Sequence, residues 1–344
     1  MQIGYSYLQR LRSIIGRKLH VTINRRAALT GLAGGLVLRR TEAFSQEANY
    51  PSRTVKITVG TGAGGAADTT ARVAAKVLSD ALGQNFVVEN RPGAQGLVAL
   101  SSFVKERTDG YSLFMLASSQ AVLPALYQLP YDPVNDITPI ARLTVASVIL
   151  VVNPELPVKS VKDLVDYAKK NPDKVSYGYQ GGPIQIACAL FAKLAGFQPV
   201  AVPFTASARV TTEMLAGRLT YTVMTGEQAK PLVDAGKLRA LATAGKTRAL
   251  AFPDIPTLEE LGYPAYGDGW FGLIGPKNLP KPIVDKLYTA FKDHYYGKQP
   301  QHTLVARGME PADEGPEAFT AFLKANIARW IAAGEQLGIS KVKP

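Results

Sequence analysis

The 344-residue sequence predicts an α/β protein whose sheets are mostly parallel, folded as two doubly wound domains. Three observations point there. Short apolar runs alternate with stretches of three- and four-residue apolar spacing from residue 53 onward, the pattern of strands joined by covering helices. Several runs end in glycine-rich turns that open a helix. Two proline- and glycine-rich segments, Asn153-Pro154-Glu155-Leu156-Pro157 and Tyr263-Pro264-Ala265-Tyr266-Gly267-Asp268-Gly269, interrupt the alternation and read as interdomain crossings. Two crossings make 151–265 an inserted second domain and leave 47–150 and 266–344 to form the first. A small-molecule site then falls in the cleft between them.

The expected strands are Val55–Val59, Phe86–Glu89, Ser112–Leu116, Val148–Val152, Val175–Tyr177, Thr220–Met224 and Ala240–Ala242. Helical spacing is clear in Val161, Leu164, Val165 and Ala168, and again in Pro282–Phe291 and Glu317–Leu337. Ser160 with Asp163, and Thr257 with Glu260, have capping-box spacing and mark helix starts.

Composition is that of a globular chain with a separate leader. Hydrophobic residues make up 47% of the sequence, and the formal net charge is +12. Residues 1–46 contribute +7 of this charge through Arg10, Arg12, Arg17, Lys18, Arg25, Arg26, Arg39 and Arg40 against Glu42. The remainder has no basic run interleaved with aromatics, so no nucleic-acid partner is expected. Arg25-Arg26, the apolar stretch Ala27–Leu38 and the small residues of Ala43-Phe44-Ser45 form an export signal of twin-arginine type, with the Sec route as alternative. Twelve apolar residues are too few to span a bilayer, so the mature chain is expected in the periplasm after cleavage near Ser45.

The first glycine loop runs Gly60-Thr61-Gly62-Ala63-Gly64-Gly65 and leads through Ala66-Ala67 to Asp68. Glycines allow close backbone approach, and the free N–H groups of a first helical turn carry the positive end of the helix dipole. The loop therefore suits a carboxylate or a phosphate. A second loop, Glu89-Asn90-Arg91-Pro92-Gly93-Ala94-Gln95-Gly96, follows at βαβ spacing. The literal Gly60-x-Gly62-x-x-Gly65 with Glu89 downstream also fits a dinucleotide site, which makes an exported NAD(P)-dependent oxidoreductase of Rossmann type the alternative. Against it stand the acidic Asp68, placed where a pyrophosphate would approach, and the glycine loop after Glu89.

Catalytic groups are sparse. The histidines are His20, His294 and His302, and the single cysteine, Cys188, lies in the apolar run Ile186–Leu194. Neither a Gly-x-Ser-x-Gly elbow nor a P-loop occurs, so no enzymatic activity, metal or cofactor is expected. Trp270-Phe271 either walls the cleft or belongs to the core. The second domain repeats the strand, small-residue turn, helix pattern at Tyr177-Gly178-Tyr179-Gln180-Gly181-Gly182-Pro183 and Pro203-Phe204-Thr205-Ala206-Ser207. Each alone is an ordinary turn, but four in one chain point to a shared site.

Tyr50-Pro51, Gly64-Gly65-x-x-Asp68, Glu89-Asn90-Arg91-Pro92-Gly93, Asp109-Gly110-Tyr111 and Leu129-Pro130-Tyr131-Asp132-Pro133 occur in this order. Ala235-Gly236-Lys237-Leu238-Arg239, Pro253-Asp254-Ile255-Pro256-Thr257 and Trp270-Phe271-Gly272-Leu273 follow. Together they resemble the Bug-type solute-binding receptors of tripartite tricarboxylate transporters, over roughly residues 50–340. The resemblance implies a type-II periplasmic-binding-protein clamshell with a hinge of two crossings, an organic carboxylate as ligand, membrane transporter subunits as transient partners and a monomeric receptor. A sensory carboxylate receptor for a two-component system would share the signature. The implied contacts are Ala63, Gly64, Gly65, Asp68, Ser118, Ser119 and Gln120 from the first domain, and Gly181, Gly182, Gln185, Thr205, Ala206, Ser207 and Thr225 from the second. Departures from the family pattern fall in the second domain. Gln185 stands where a histidine is common, Phe204-Thr205-Ala206 replaces Tyr-Lys-Gly, and Thr225 or Gly226 replaces an acidic residue. Loss of that acid disfavours an amino-acid ligand, and loss of both charges favours an uncharged or aromatic distal group. Arg209 reads as an exposed residue rather than a second carboxylate partner.

N-terminal sequencing of the exported protein is expected to begin near Gln46, and an Arg25→Lys, Arg26→Lys double variant to accumulate unprocessed. Normal processing of that variant would assign export to the Sec route.

Overall fold

The computed structural model describes residues 49–265, 267, 269–306 and 309–343. The export signal lies outside them. In chain order the strands are β1 (Val55–Val59), β2 (Phe86–Asn90), β3 (Ser112–Ala117), β4 (Ile137–Ala146), β5 (Val148–Val152), β6 (Ser176–Tyr179), β7 (Val200–Pro203), β8 (Tyr221–Thr225), β9 (Arg239–Thr243), β10 (Gly269–Pro276) and β11 (Glu310–Glu314). The helices are α1 (Ala66–Leu82), α2 (Leu97–Phe103), α3 (Ser118–Ala121), α4 (Leu123–Leu126), α5 (Val161–Lys170), α6 (Gly182–Ala195), α7 (Ser207–Leu215), α8 (Gly226–Asp234), α9 (Lys281–His294), α10 (Gln299–Val305) and α11 (Pro316–Gln336).

Two sheets result, ordered β11-β4-β10-β3-β1-β2 and β7-β6-β8-β5-β9. Both are mixed rather than mostly parallel. β1 is parallel to β2 and β3, and β6 to β7 and β8, whereas β10 runs antiparallel to β3 and β4, and β5 antiparallel to β8 and β9. The cause is the path between the sheets. β4 ends at Ala146 and β5 begins at Val148, so the chain changes sheet at Ser147. Val148 pairs with Thr225, the last residue of β8, so β5 enters the second sheet at the edge where its parallel strands finish. The return is symmetric: β9 ends at Thr243, and β10 starts with Gly269 opposite Ala146, the last residue of β4. Strands entering from that edge must run backwards. The sheet change therefore precedes the expected boundary at 150/151, and 153–157 is a turn after β5.

Side-chain pairing explains strands that the sequence pattern hides. Pro139 lies within β4 where the strand pairs with β10 alone, because β11 reaches only Arg142, Thr144 and Val145, so the proline sits on an open edge. β11 is built from Glu310-Pro311-Ala312-Asp313-Glu314, which has no strand propensity. It is held to β4 by Arg142, whose Nε donates to Glu314 Oε2 at 2.9 Å while its guanidinium lies 3.8 Å from the centre of the Phe322 ring. Ser160 Oγ accepts from Asp163 N at 3.1 Å while Asp163 Oδ2 accepts from Lys159 N at 3.0 Å, and Thr257 with Glu260 forms the full box, Thr257 Oγ1 accepting from Glu260 N at 3.0 Å and Glu260 Oε2 from Thr257 N at 3.1 Å. The second, however, closes only a turn, because the chain leaves helical geometry after Gly262.

An apolar cluster joins the sheets. It runs from Phe114 and Leu116 through Val122 and Leu123 to Ile186, Ala187 and Leu150, and includes Trp270, Phe319 and Trp330. Residues 50–344 accordingly form one compact unit. Trp270 is core, not cleft wall: its indole N–H and that of Trp330 both donate to Asn326 Oδ1, at 3.3 and 3.0 Å. A second cluster fills the space between β1, β3, α1 and α9, and a third lies under α7 and α8.

At Gly272 of β10 an added Cβ would stand 2.4 Å from Phe319 Cζ and 3.0 Å from the Ala141 carbonyl oxygen. Gly272→Ala is expected to lower stability by about 1–3 kcal/mol through overpacking, read as a lower urea midpoint. An unchanged midpoint would show that the Phe319 ring has room to move.

Candidate functional site

Because both crossings connect the edges where the parallel strands end, the strand-to-helix turns of the two sheets lie along that shared border. Every residue expected from the sequence falls there. Ala63, Gly64, Gly65 and Asp68 follow β1, and Ser118, Ser119 and Gln120 follow β3. Gly181, Gly182 and Gln185 follow β6, Thr205, Ala206 and Ser207 follow β7, and Thr225 closes β8. Ala63, Gly64, Gly65, Thr205 and Ala206 are exposed, and Gly181, Gln185, Ser207 and Thr225 are half-buried.

Several of these groups serve the protein itself. Gly64 N–H donates to Asp68 Oδ2 at 2.9 Å, and Arg72 Nε donates to the same oxygen at 2.9 Å. Burial alone would raise the Asp68 pKa, but the Arg72 hydrogen bond and the Gly64 N–H outweigh it and hold the carboxyl below the usual range. Asp68 thus occupies one donor of the glycine loop, while its Oδ1 is enclosed without a hydrogen-bond partner. Arg72 also reaches Asn90 Oδ1 at 3.4 Å, and Asn90 Nδ2 donates to Thr61 O at 3.1 Å, which ties the two glycine loops together.

Gln120, expected among the solute contacts, is buried and hydrogen-bonded within the protein. Its Oε1 accepts from Ala117 N at 2.9 Å, and its Nε2 donates to Gln95 O at 2.8 Å and Ser119 Oγ at 2.9 Å. It fits only because residue 96 is glycine, where a Cβ would stand 2.3 Å from Gln120 Nε2. Beside it, Ala94, Gln95 and Gly96 have φ of 44°, 57° and 89°, a left-handed turn in which the two non-glycine residues cost about 1–2 kcal/mol each. Gln95 then crosses to the second sheet, its Oε1 accepting from Gly182 N at 2.9 Å. Nothing in the local sequence signals this contact, since its partners lie 87 residues apart.

The second-sheet turns carry no charge at Gln180, Gln185, Thr205, Ser207, Thr225 or Gln228, and Gln228 Nε2 donates to Ser207 Oγ at 3.1 Å. Arg209 is exposed and lies 3.8 Å from Glu213. The acid that a dinucleotide site would use, Glu89, is engaged by two cations of the protein itself. Glu89 is paired with Arg91 at 2.8 Å, whose hydrogen bond holds its pKa low, and Lys56 stands 3.7 Å away. Cys188 is fully buried, which pushes its thiol up to about 12 and leaves it unreactive. Among the described residues there is no metal-ligating cluster and no helix long and apolar enough to cross a membrane.

Two mixed sheets joined at their strand-ending edges, with helix-opening turns along the border, define an α/β binding protein of the periplasmic-receptor type. Residues 70–339 match the tripartite tricarboxylate transporter family receptors, and the chain belongs to that family. BugT of Bordetella pertussis is 29% identical, over 84% of this chain and 90% of its own. Among solved structures, Rpa4515 of R. palustris with adipate is 32% identical, with a TM-score of 0.73 over 85% of this chain and 99% of its own. MatC of Rhodopseudomonas palustris with bound malate is 28% identical, with a TM-score of 0.70 over 83% and 100%.

Asp68→Asn is expected to lower stability at pH 7 by about 1–3 kcal/mol, since it removes the charge that Arg72 and Gly64 N–H stabilise. The folded pKa lies below the unfolded value of about 3.9, so this contribution is complete above that value and disappears as pH falls through the folded pKa. Urea unfolding from pH 7 to pH 3 should show the gap between wild type and variant closing on the acid side. A constant gap would contradict the charge-based role.

Proposed function

We propose that the chain is an exported receptor that captures a small organic carboxylate between its two sheets and delivers it to the membrane subunits of a tripartite tricarboxylate transporter. The observation that carries this reading is the joining of both strand-ending edges at Ser147 and between β9 and β10, which sets glycine turns of one sheet beside small-residue turns of the other. Backbone N–H groups in such turns favour an anion, and the bound adipate and malate of the two relatives support a carboxylate. The two sheets act as lobes hinged at these crossings, the first around β1–β4, β10 and β11 and the second around β5–β9. Ala63, Gly65, Ser118 and Ser119 hold the carboxylate. Gln185, Thr205, Ala206, Ser207 and Thr225 meet the distal, uncharged end of the solute. The mature receptor works as a monomer in the periplasm after removal of the leader, without catalysing a reaction.

The test is a thermal-shift and calorimetric screen over mono-, di- and aromatic carboxylates. At a ligand concentration of about 100 times Kd, linkage adds about 2.7 kcal/mol, which for a chain of this size raises Tm by about 5 °C. An acid that does so and is recovered unchanged supports the proposal. No shift and no heat across the panel would overturn it.

A further inference from the structure

The geometry points to Gln95 as a specificity-determining residue that makes the site select solutes with one carboxylate over those with two. This rests on the carboxylate-receptor function proposed above and names the solute class. Gly182 is the first residue of α6, a fourteen-residue helix, and its N–H would otherwise be a free donor at the positive end of the helix. The Gln95 carboxamide fills that seat with a neutral oxygen at 2.9 Å.

The fit is built from both sides. Gln120 Nε2 fixes the Gln95 carbonyl at 2.8 Å, and the left-handed backbone of Ala94 and Gln95 aims the loop across the border. On the far side, a Cβ on Gly182 would stand 2.7 Å from Leu126 Cδ1 and 3.3 Å from Gln95 Oε1, so the absence of a side chain there leaves room for the contact. A second carboxylate arriving at α6 must displace Gln95 or remain without this N–H. In the neighbouring second-sheet turns Gln185, Thr205, Ser207 and Thr225 are neutral, the cation Arg209 lies 3.8 Å from Glu213, and Glu227 adds a negative charge. An uncharged distal group meets no such loss.

Hexanoate and adipate, six-carbon acids that differ in the second carboxylate, test this by calorimetry on wild type, Gln95→Gly, Gln95→Asn and Gln95→Glu. Wild type should bind hexanoate more tightly than adipate. Gln95→Gly frees the Gly182 N–H and relieves the left-handed backbone, and should shift the ratio of the two affinities about tenfold towards adipate. Gln95→Asn tolerates the left-handed conformation but is one methylene too short to reach Gly182, and should shift the ratio the same way. Gln95→Glu places a charge in the seat and should shift it in the opposite direction. Melting curves of each protein establish folding. Ratios within twofold of wild type in all three variants, or tighter adipate binding by wild type, overturn the inference and leave the receptor function standing. Absence of binding by every carboxylate in all four proteins overturns the receptor function, and the inference with it.

Discussion

The carboxamide of Gln120 is the constraint on which the geometry of the border depends. From one buried position it ties the end of β3, through Ala117 N, to the left-handed turn at Gln95, through its carbonyl. That turn in turn packs on the first glycine loop, because a Cβ on Gly60 would meet Gly96 Cα at 2.8 Å. Three separate loops are thereby held as one surface. Hydrogen bonds inside such a network gain from mutual polarisation and from exclusion of water, and each is costly to leave unmade. The left-handed residues at 94 and 95 persist because this network over-determines them.

A second consequence is electrostatic. Helix-opening turns create donors, and a chain that leaves them all open would bind anions without discrimination. Here the protein supplies some of the acceptors itself: Asp68 for Gly64, Gln95 for Gly182 and Gln120 for Ala117. The remaining turns divide into an ion-paired half around Arg72, Asp68, Glu89 and Arg91, and a half around Gln185, Thr205 and Thr225 whose charged residues, Arg209 and Glu227, are exposed.

The two sheets are coupled without being fused. Their strands end at a common border crossed at Ser147, while an apolar cluster continues past the border through Val122, Ile186 and Trp270. α11 carries Phe319, Asn326 and Trp330 into that cluster, and Asn326 accepts both indole N–H groups. Burying two indoles against one amide satisfies their only polar atoms and fixes β10 beside the helix.

The sequence by itself determined the type and order of most elements and the location of the turns that follow the parallel strands. These depend on local chemistry: apolar periodicity, glycine after a strand, a serine before a helix. The end of β1 and the capping pair Ser160–Asp163 were legible for that reason, while β3 and β8 run one residue and β6 two residues past their expected ends. Tertiary structure decided what local chemistry cannot encode. β4 contains a proline and β11 is a row of acids and a proline, yet both are strands because Arg142 and the register with β10 make them so. The antiparallel β5 and β10 follow from the edge at which the chain enters each sheet. Gln120 ties the end of β3 to the Gln95 turn, and Gln95 meets its partner only because α6 comes within 2.9 Å. An amide side chain has both a donor and an acceptor, so its task is set by whichever partners the fold brings near it.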